Sequence, residues 1–144
     1  MVLLAGAVLL TGCVTMIVMP KSSRLPSPLP TVGEDLFCSG KSLGKNIALN
    51  QPSGHYTLTG QCGIVSIEGA GITATIESAK SVAINGDRNT VTGKSLALMS
   101  IQGQDNTVSA TVIGSLAING DRNSVTSPAI GPKAVNGQGN TVSG

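Results

Sequence analysis

The second half of this chain repeats every 17 residues. Glycine recurs five times and asparagine four times at this interval, at Gly69, Gly86, Gly103, Gly120 and Gly137 and at Asn89, Asn106, Asn123 and Asn140. The clearest copies, Ser81–Thr92 and Ser115–Thr126, lie two repeats apart and differ at two positions. Such fixed-period similarity predicts stacked structural units, each of which contacts mainly its neighbours.

Apolar residues recur within each repeat in four rows, which we predict to face inward. Neighbouring apolar positions are often two residues apart, which favours short strands. The rows are Val65, Val82, Met99 and Leu116; Ile67, Ile84, Ile101, Ile118 and Val135; Leu58, Ala74, Val91, Val108, Val125 and Val142; and Ala79, Leu96, Ile113 and Ile130.

These rows predict an all-β fold, a single-stranded parallel β-helix (solenoid) of about six 17-residue coils that rises roughly 29 Å over residues 47–144. Because 17 is not a multiple of six, a left-handed hexapeptide solenoid fits poorly, and the hand of parallel crossovers favours a right-handed one. The chain has 19 glycines, no tryptophan, one tyrosine and one phenylalanine, a composition that suits short strands and tight turns.

The Gly-x-x-Asn step predicts the corner between strands. Glycine reaches backbone angles that strain other residues, and asparagine tolerates similar angles while its amide bonds neighbouring coils. We therefore expect a structural corner ladder of Gly86, Asn89, Gly103, Asn106, Gly120, Asn123, Gly137 and Asn140. Ile72 and Lys133 depart from the repeat pattern, so we expect altered edges of the stack there.

The N-terminal sequence predicts an export signal. The apolar run Val2–Leu10 and the step Leu10-Thr-Gly-Cys13 resemble the signal peptide and lipobox of bacterial lipoproteins. That resemblance implies a signal peptide at residues 1–12, cleavage before Cys13 and acylation of Cys13. An uncleaved anchor over residues 2–19 is the alternative. Both interpretations predict an exported protein tethered to a membrane of the bacterial cell envelope, on its periplasmic or surface-facing side.

A tether and one domain follow the predicted export signal. Residues 13–37, which include Pro26, Pro28 and Pro30, predict an extended Pro/Ser-rich tether, and residues 38–144 form the solenoid domain. If Cys13 is lipidated, Cys38 and Cys62 remain as a pair, which an oxidising compartment converts most simply into a disulfide that pins the first coil. His55 lies between them, but a fourth zinc ligand is missing, so we predict neither a metal site nor a cofactor.

The chain resembles the bacterial proteins catalogued as domain of unknown function 3060. The resemblance rests on Cys38, on the segment Tyr56-Thr-Leu-Thr-Gly-Gln-Cys62 and on a repeated Ile-x-Gly-x-x-Asn-Thr-Val pattern, seen as Ile101-Gln-Gly-Gln-Asp-Asn-Thr-Val108. It covers residues 38–144. Members of this family are typically exported, often as lipoproteins, and resemble small β-solenoids without an assigned activity. The resemblance therefore implies an exported β-solenoid and identifies no catalytic residue.

Threonine and serine flank the third apolar row on both sides and predict a flat face of hydroxyl groups. They are Thr57, Thr59, Thr73, Thr75, Thr90, Thr92, Thr107, Ser109, Ser124, Thr126, Thr141 and Ser143. These residue types also suit outward strand positions, so one interpretation assigns them to the scaffold alone. The alternative is a binding face, since a Thr-x-Thr array on a solenoid is similar to ice-binding proteins. A glycan suits an envelope protein better than ice.

Charge and motif content exclude several function classes. The formal net charge is only +2 and no basic run is present, which argues against a nucleic-acid partner. Asp87 and Asp121 are the remaining catalytic alternative, for a polysaccharide-active enzyme, but two coils separate them by about 10 Å, and no long loops wall a groove. We predict a non-enzymatic structural or protein-interaction module, with envelope proteins, polysaccharide or edge-to-edge self-association as partners.

Overall fold

The computed structural model describes residues 34–38 and 46–144. Cys13, the predicted signal peptide or anchor and most of the predicted tether lie outside the described residues. These two segments contain only strands and their connections. The strands are β1 (Glu34–Phe37), β2 (Ile47–Leu49), β3 (His55–Glu68), β4 (Thr73–Asn85), β5 (Thr90–Gln102), β6 (Thr107–Asn119), β7 (Ser124–Thr126), β8 (Lys133–Asn136) and β9 (Thr141–Ser143). No helix capable of crossing a membrane occurs in the described part of the chain.

Every strand pairing is parallel, and all nine strands belong to one sheet that winds through the stack. Val82 of β4 pairs with Met99 of β5, which pairs with Leu116 of β6, so each step along the stack advances the sequence by one repeat. This register confirms the predicted β-solenoid of about six coils. The right-handed sense stays a prediction.

Each long strand bends twice. In β5 the residue-by-residue pairing is interrupted at Lys94 and at Ala97. Two consecutive side chains point outward at each interruption, Lys94 with Ser95 and Ala97 with Leu98, because the chain turns there instead of alternating. A coil therefore consists of three short strand segments, which give the stack three faces.

The predicted inward rows form the core, together with a fifth row that the sequence interpretation missed. This extra row contains Leu58, Ile76, Gly93, Ala110 and Ser127, all of them buried. In the last coil, by contrast, Val135 is 40% exposed, and Ile130 and Val142 are only partly buried. Lys133 pairs with Leu116 and is exposed, so the first row ends there, as its departure from the pattern predicts.

The register of the first coil differs from our prediction. We placed Leu58 in the third row beside Ala74, whereas Tyr56 pairs with Ala74 and Leu58 pairs with Ile76. The pairing shifts between Leu58 and Gln61, where Gly60 has a φ of 86°. This β-bulge adds one residue to the coil, and glycine accepts the left-handed backbone without strain.

The sheet begins earlier than the predicted domain boundary at residue 38. β1 pairs with β3 over Glu34–Phe37, residues that the sequence interpretation assigned to the tether. The predicted disulfide between Cys38 and Cys62 is present, and both cysteines are buried. It fixes the end of β1 to the first full coil.

Candidate binding face and corner ladder

The predicted asparagine ladder forms inside the corner of the stack. Asn89, Asn106 and Asn123 are almost fully buried. The side-chain oxygen of each asparagine accepts a hydrogen bond from the backbone N–H one repeat earlier, starting with Asn89 Oδ1 and the Ile72 N–H at 2.8 Å. Ile72 therefore breaks the row of side chains but still donates to it.

The second half of each amide group closes the same corner. Asn106 Nδ2 donates to the Gly86 carbonyl at 2.9 Å, and Asn123 Nδ2 donates to the Gly103 carbonyl at 2.9 Å. Buried backbone groups at these bends lie outside the strand ladder, and the asparagine amides satisfy them. The ladder thus provides for the corners what sheet hydrogen bonds provide for the faces.

One detail of the predicted corner is wrong. The non-glycine residues with left-handed backbone in the repeat corners are Arg88, Asp105 and Arg122, each directly before an asparagine, and the asparagines themselves are not among them. The asparagines serve the corner through the hydrogen bonds of their side chains and backbone carbonyls, and not through a left-handed backbone. The predicted role of glycine is confirmed, since Gly103 has a φ of 137°.

The hydroxyl face consists of two outward columns, one on each side of the row that runs from Tyr56 to Val142. Its first column is His55, Thr73, Thr90, Thr107, Ser124 and Thr141, and its second is Thr57, Thr75, Thr92, Ser109, Thr126 and Ser143. All twelve side chains are exposed or half-buried. Columns of this kind repeat about every 4.8 Å between coils and about 6.7 Å along a strand.

Two of the predicted face residues occupy other positions. Thr57 stands in the second column, because the bulge shifts the register, and His55 takes its place in the first. Thr59 belongs to neither column and pairs instead with Phe37 of β1. The remaining ten predicted residues form the face as expected.

A depression of about 370 Å³ lies beside the N-terminal half of the second column. Thr57, Thr75 and Thr92 line it from the column, and Glu77 and Lys94 line it from the bend. Glu77 Oε2 accepts a hydrogen bond from the Gly60 N–H at 2.8 Å, and Glu77 Oε1 pairs with Lys94 Nζ at 3.2 Å. The hydrogen bond from Gly60 and then the contact with Lys94 lower the pKa of Glu77, which favours its charged form.

Phe37 is a surface feature that the sequence interpretation did not recognise. Phe37 is 73% exposed. It pairs with Thr59, which lines the depression, so Phe37 lies on the same side of the sheet as the depression and one strand away from it. The signal in the sequence that could have found it is the period of two that places Phe37 between Leu36 and Cys38, which are half-buried and buried.

Charged residues also line the corner. Arg122 binds Asp105 through two hydrogen bonds, of 2.8 Å to Oδ1 and 3.0 Å to Oδ2. This contact lowers the pKa of Asp105 and raises that of Arg122. Both side chains are exposed, so the pair contributes little to stability.

The catalytic alternative, Asp87 and Asp121, is not brought together. Asp87 Oδ1 accepts the backbone N–H of Gln104 at 2.8 Å, and Asp121 Oδ1 accepts that of Gln138 at 2.8 Å. Each carboxylate therefore bonds the backbone of the next coil. Within residues 34–38 and 46–144 no group of three metal-ligating side chains occurs.

Stacked parallel coils with a buried amide ladder define a β-solenoid repeat protein. Residues 53–97 match the family model described as "Protein of unknown function (DUF3060)". The match confirms the family resemblance over residues 53–97, which include the bulge and most of the depression, whereas Cys38 and the Ile101–Val108 pattern lie outside the match. No curated protein and no solved structure matches the chain.

Proposed function

We propose that this protein is a non-enzymatic, lipid-anchored module of the bacterial cell envelope that binds a partner through its hydroxyl face. The observation that carries the proposal is the face itself. Its two columns run through six successive coils, and the residues are threonine or serine at every position except His55. The core does not require hydroxyl residues at outward positions, because outward positions on the other faces hold residues as different as Glu68 and Leu98.

Rigidity supports binding by such a face. The amide ladder and the in-register strands fix the spacing of the hydroxyl groups, so little conformational entropy is lost when a partner is bound. Regularly spaced groups suit a partner that is itself extended and repetitive. An envelope polysaccharide or an extended protein segment has that character.

The non-enzymatic part of the proposal rests on the acidic residues. Asp87 and Asp121 bond backbone amides of neighbouring coils, and Glu77 bonds both Gly60 and Lys94. A general acid needs a raised pKa near the working pH, whereas the pKa of Glu77 is lowered. The hydrogen bonds of Asp87, Asp121 and Glu77 to neighbouring coils support a role in the scaffold for all three carboxylates.

The location rests on the N-terminal sequence and the disulfide. The segment Leu10-Thr-Gly-Cys13 fits a lipobox, and the Cys38–Cys62 bond fits an oxidising compartment. Labelled fatty acid should be incorporated into the wild-type protein and lost in Cys13→Ser. Incorporation that persists in Cys13→Ser would overturn the lipid anchor.

Site-specific photocrosslinking in intact envelopes tests the binding face. A photoreactive residue at Thr92, on the face, should give a discrete adduct with an envelope component. The same residue at Ser100, a half-buried outward position on another face, is the matched control. Thr107→Tyr in the Thr92 probe should remove the adduct, because a bulky ring disrupts the flat surface. Equal labelling at Thr92 and Ser100, or an adduct that survives Thr107→Tyr, would count against the proposal.

Self-association through the last coil is a second candidate. Val135, Ile130 and Val142 are partly exposed there, and β9 (Thr141–Ser143) pairs only with β7 among the described strands. Pairing with a second copy would cover these side chains and extend the sheet. Sedimentation should then show a dimer that Val142→Lys dissociates, and a monomer at high concentration would exclude it.

A further inference from the structure

We propose that the N-terminal end of the hydroxyl face is a saccharide-binding subsite, with Phe37 as the platform for a neutral pyranose ring. The inference rests on the proposed function, because it assigns a ligand class to the same face. Thr75, Thr92 and Glu77 would hydrogen-bond the sugar hydroxyl groups. The depression beside them would hold the neighbouring unit of the polysaccharide.

The exposure of Phe37 is the first observation. It is the single phenylalanine of the chain, and it is the most exposed of the large hydrophobic residues in the described segments. Its neighbours on β1 are part of the sheet, so the ring is presented outward on an ordered strand. An exposed aromatic face on a rigid strand suits stacking against the C–H face of a pyranose.

The position of Phe37 is fixed from two sides. The Cys38 N–H donates to the Thr59 carbonyl at 2.9 Å, and Cys38 is held by its disulfide to Cys62. The platform is therefore preorganised, which reduces the entropy lost on binding. The disulfide then has a functional consequence in addition to its effect on stability.

The depression has the size and lining of a small-ligand subsite. Its volume of about 370 Å³ lies within the range of about 300–1,000 Å³ typical of such sites. Leu58, Ile76 and Gly93 contribute apolar lining, and threonine hydroxyl groups, which both donate and accept, stand around it. This combination fits a sugar ring, which is apolar on its faces and hydroxylated around its edge.

The charges of the subsite favour a neutral ligand. Glu77 and Lys94 form an ion pair, so their charges offset each other. Each keeps hydrogen-bonding capacity for a hydroxyl group. Thr59 is half-buried and pairs with Phe37. Its hydroxyl oxygen is buried and has no hydrogen-bond partner among the described residues. Rotation of the Thr59 side chain would offer this hydroxyl group to a sugar.

Nuclear magnetic resonance with three hexasaccharides tests the subsite directly. The probes are the hexamers of β-1,4-glucose, β-1,3-glucose and β-1,4-N-acetylglucosamine, each at millimolar concentration with the disulfide-bonded protein. Because the chain has no tryptophan and one buried tyrosine, the exposed ring signals of Phe37 are readily assigned. Saturating the Phe37 ring protons should transfer magnetisation to ring protons of at least one hexamer. We expect Phe37→Ala to weaken its binding roughly tenfold.

Matched variants separate the subsite from the whole face. Phe37→Tyr should retain binding, and Leu98→Ala, which removes another exposed apolar side chain from a different face, should leave it unchanged. Wild-type affinity in Phe37→Ala, or no binding of any hexamer, would overturn the subsite. If Thr92 still crosslinks to a protein partner in that case, the proposed function survives. If Thr92 also fails to crosslink, both proposals fall.

Discussion

The side-chain oxygen of Asn106 accepts a hydrogen bond from the backbone N–H of Asn89 at 2.9 Å, one full coil earlier. The amide nitrogen of Asn106 donates to the Gly86 carbonyl in that same earlier coil. One side chain thus satisfies two backbone groups at a corner where no strand partner is available. The Asn106 N–H in turn donates to Asn123 Oδ1, so the same arrangement links each coil to the next.

Replacing Asn106 with alanine should destabilise the fold strongly. It leaves the N–H of Asn89 and the carbonyl of Gly86 without their partner, and each buried unsatisfied group costs about 1–3 kcal/mol. We therefore expect a loss of about 2–6 kcal/mol in the free energy of unfolding, measured by urea denaturation. Asn140→Ala is the control, because Asn140 makes equivalent bonds at a half-exposed corner where water replaces them. Equal losses in the two variants would contradict this account.

The ladder shows how far the repeat alone determines the structure. A fixed interval identifies which residues stack, so Asn89, Asn106 and Asn123 were predictable as neighbours. The interval does not reveal which backbone groups lack strand partners, because that depends on the path of the corner. The left-handed conformation of Arg88 and the direction of the hydrogen bonds therefore required the structure.

The candidate site was predictable only where the repeat is regular. Eleven of the twelve predicted hydroxyl residues lie in the two columns; Thr57 is in the other column from the one predicted, and only Thr59 lies outside both. The cause is the bulge at Gly60, a single inserted residue in the coil with the weakest similarity to the others. Phe37 was missed because β1 reaches the sheet through pairing with β3, a contact between segments that share no repeat.

Replacing Gly103 with alanine should disrupt the stack. A Cβ atom there would overlap the Gly86 carbonyl oxygen, and the φ of 137° is itself strained for alanine. The backbone strain alone costs on the order of 1–3 kcal/mol. Thermal unfolding should show a markedly lower midpoint for Gly103→Ala than for the control Gly93→Ala. The new Cβ atom at position 93 would meet only the flexible side chain of Leu96, and the residue paired with Gly93 in the next coil is already alanine, Ala110. Similar midpoints would argue against close approach of the corners.

Loss of the disulfide should lower stability without abolishing the coil stack. Cys38 and Cys62 are separated by 24 residues, and closing a loop of that length stabilises by about 3–3.5 kcal/mol in the chain-entropy model. The double substitution Cys38→Ser and Cys62→Ser should lose that amount in urea denaturation. Reductant should then have no further effect on the variant, which serves as its own control.

The same double variant should open the chain locally at β1. Amide hydrogen exchange is expected to accelerate most at Glu34–Phe37, since β3 is the one partner of β1 among the described strands and the disulfide closes its end. The central strands β4 and β5 should keep their protection. Uniform acceleration along the whole stack would show that the bond supports the global fold instead of anchoring β1.

The stability contribution of Glu77 should depend on pH in a defined direction. The hydrogen bond from Gly60 and the contact with Lys94 lower the pKa of Glu77 from its ordinary value of 4.5, so the folded state binds fewer protons than the unfolded state. The contribution is therefore fully present above pH 4.5 and is lost as pH falls through the lower folded-state pKa. The difference in thermal midpoint between wild type and Glu77→Gln should be small, because Glu77 is exposed to solvent, and should disappear in acid. Glu68→Gln, an exposed carboxyl that hydrogen-bonds Ser66 on another face, is the matched control. A Glu77→Gln difference that grows as pH falls would contradict the assigned partners.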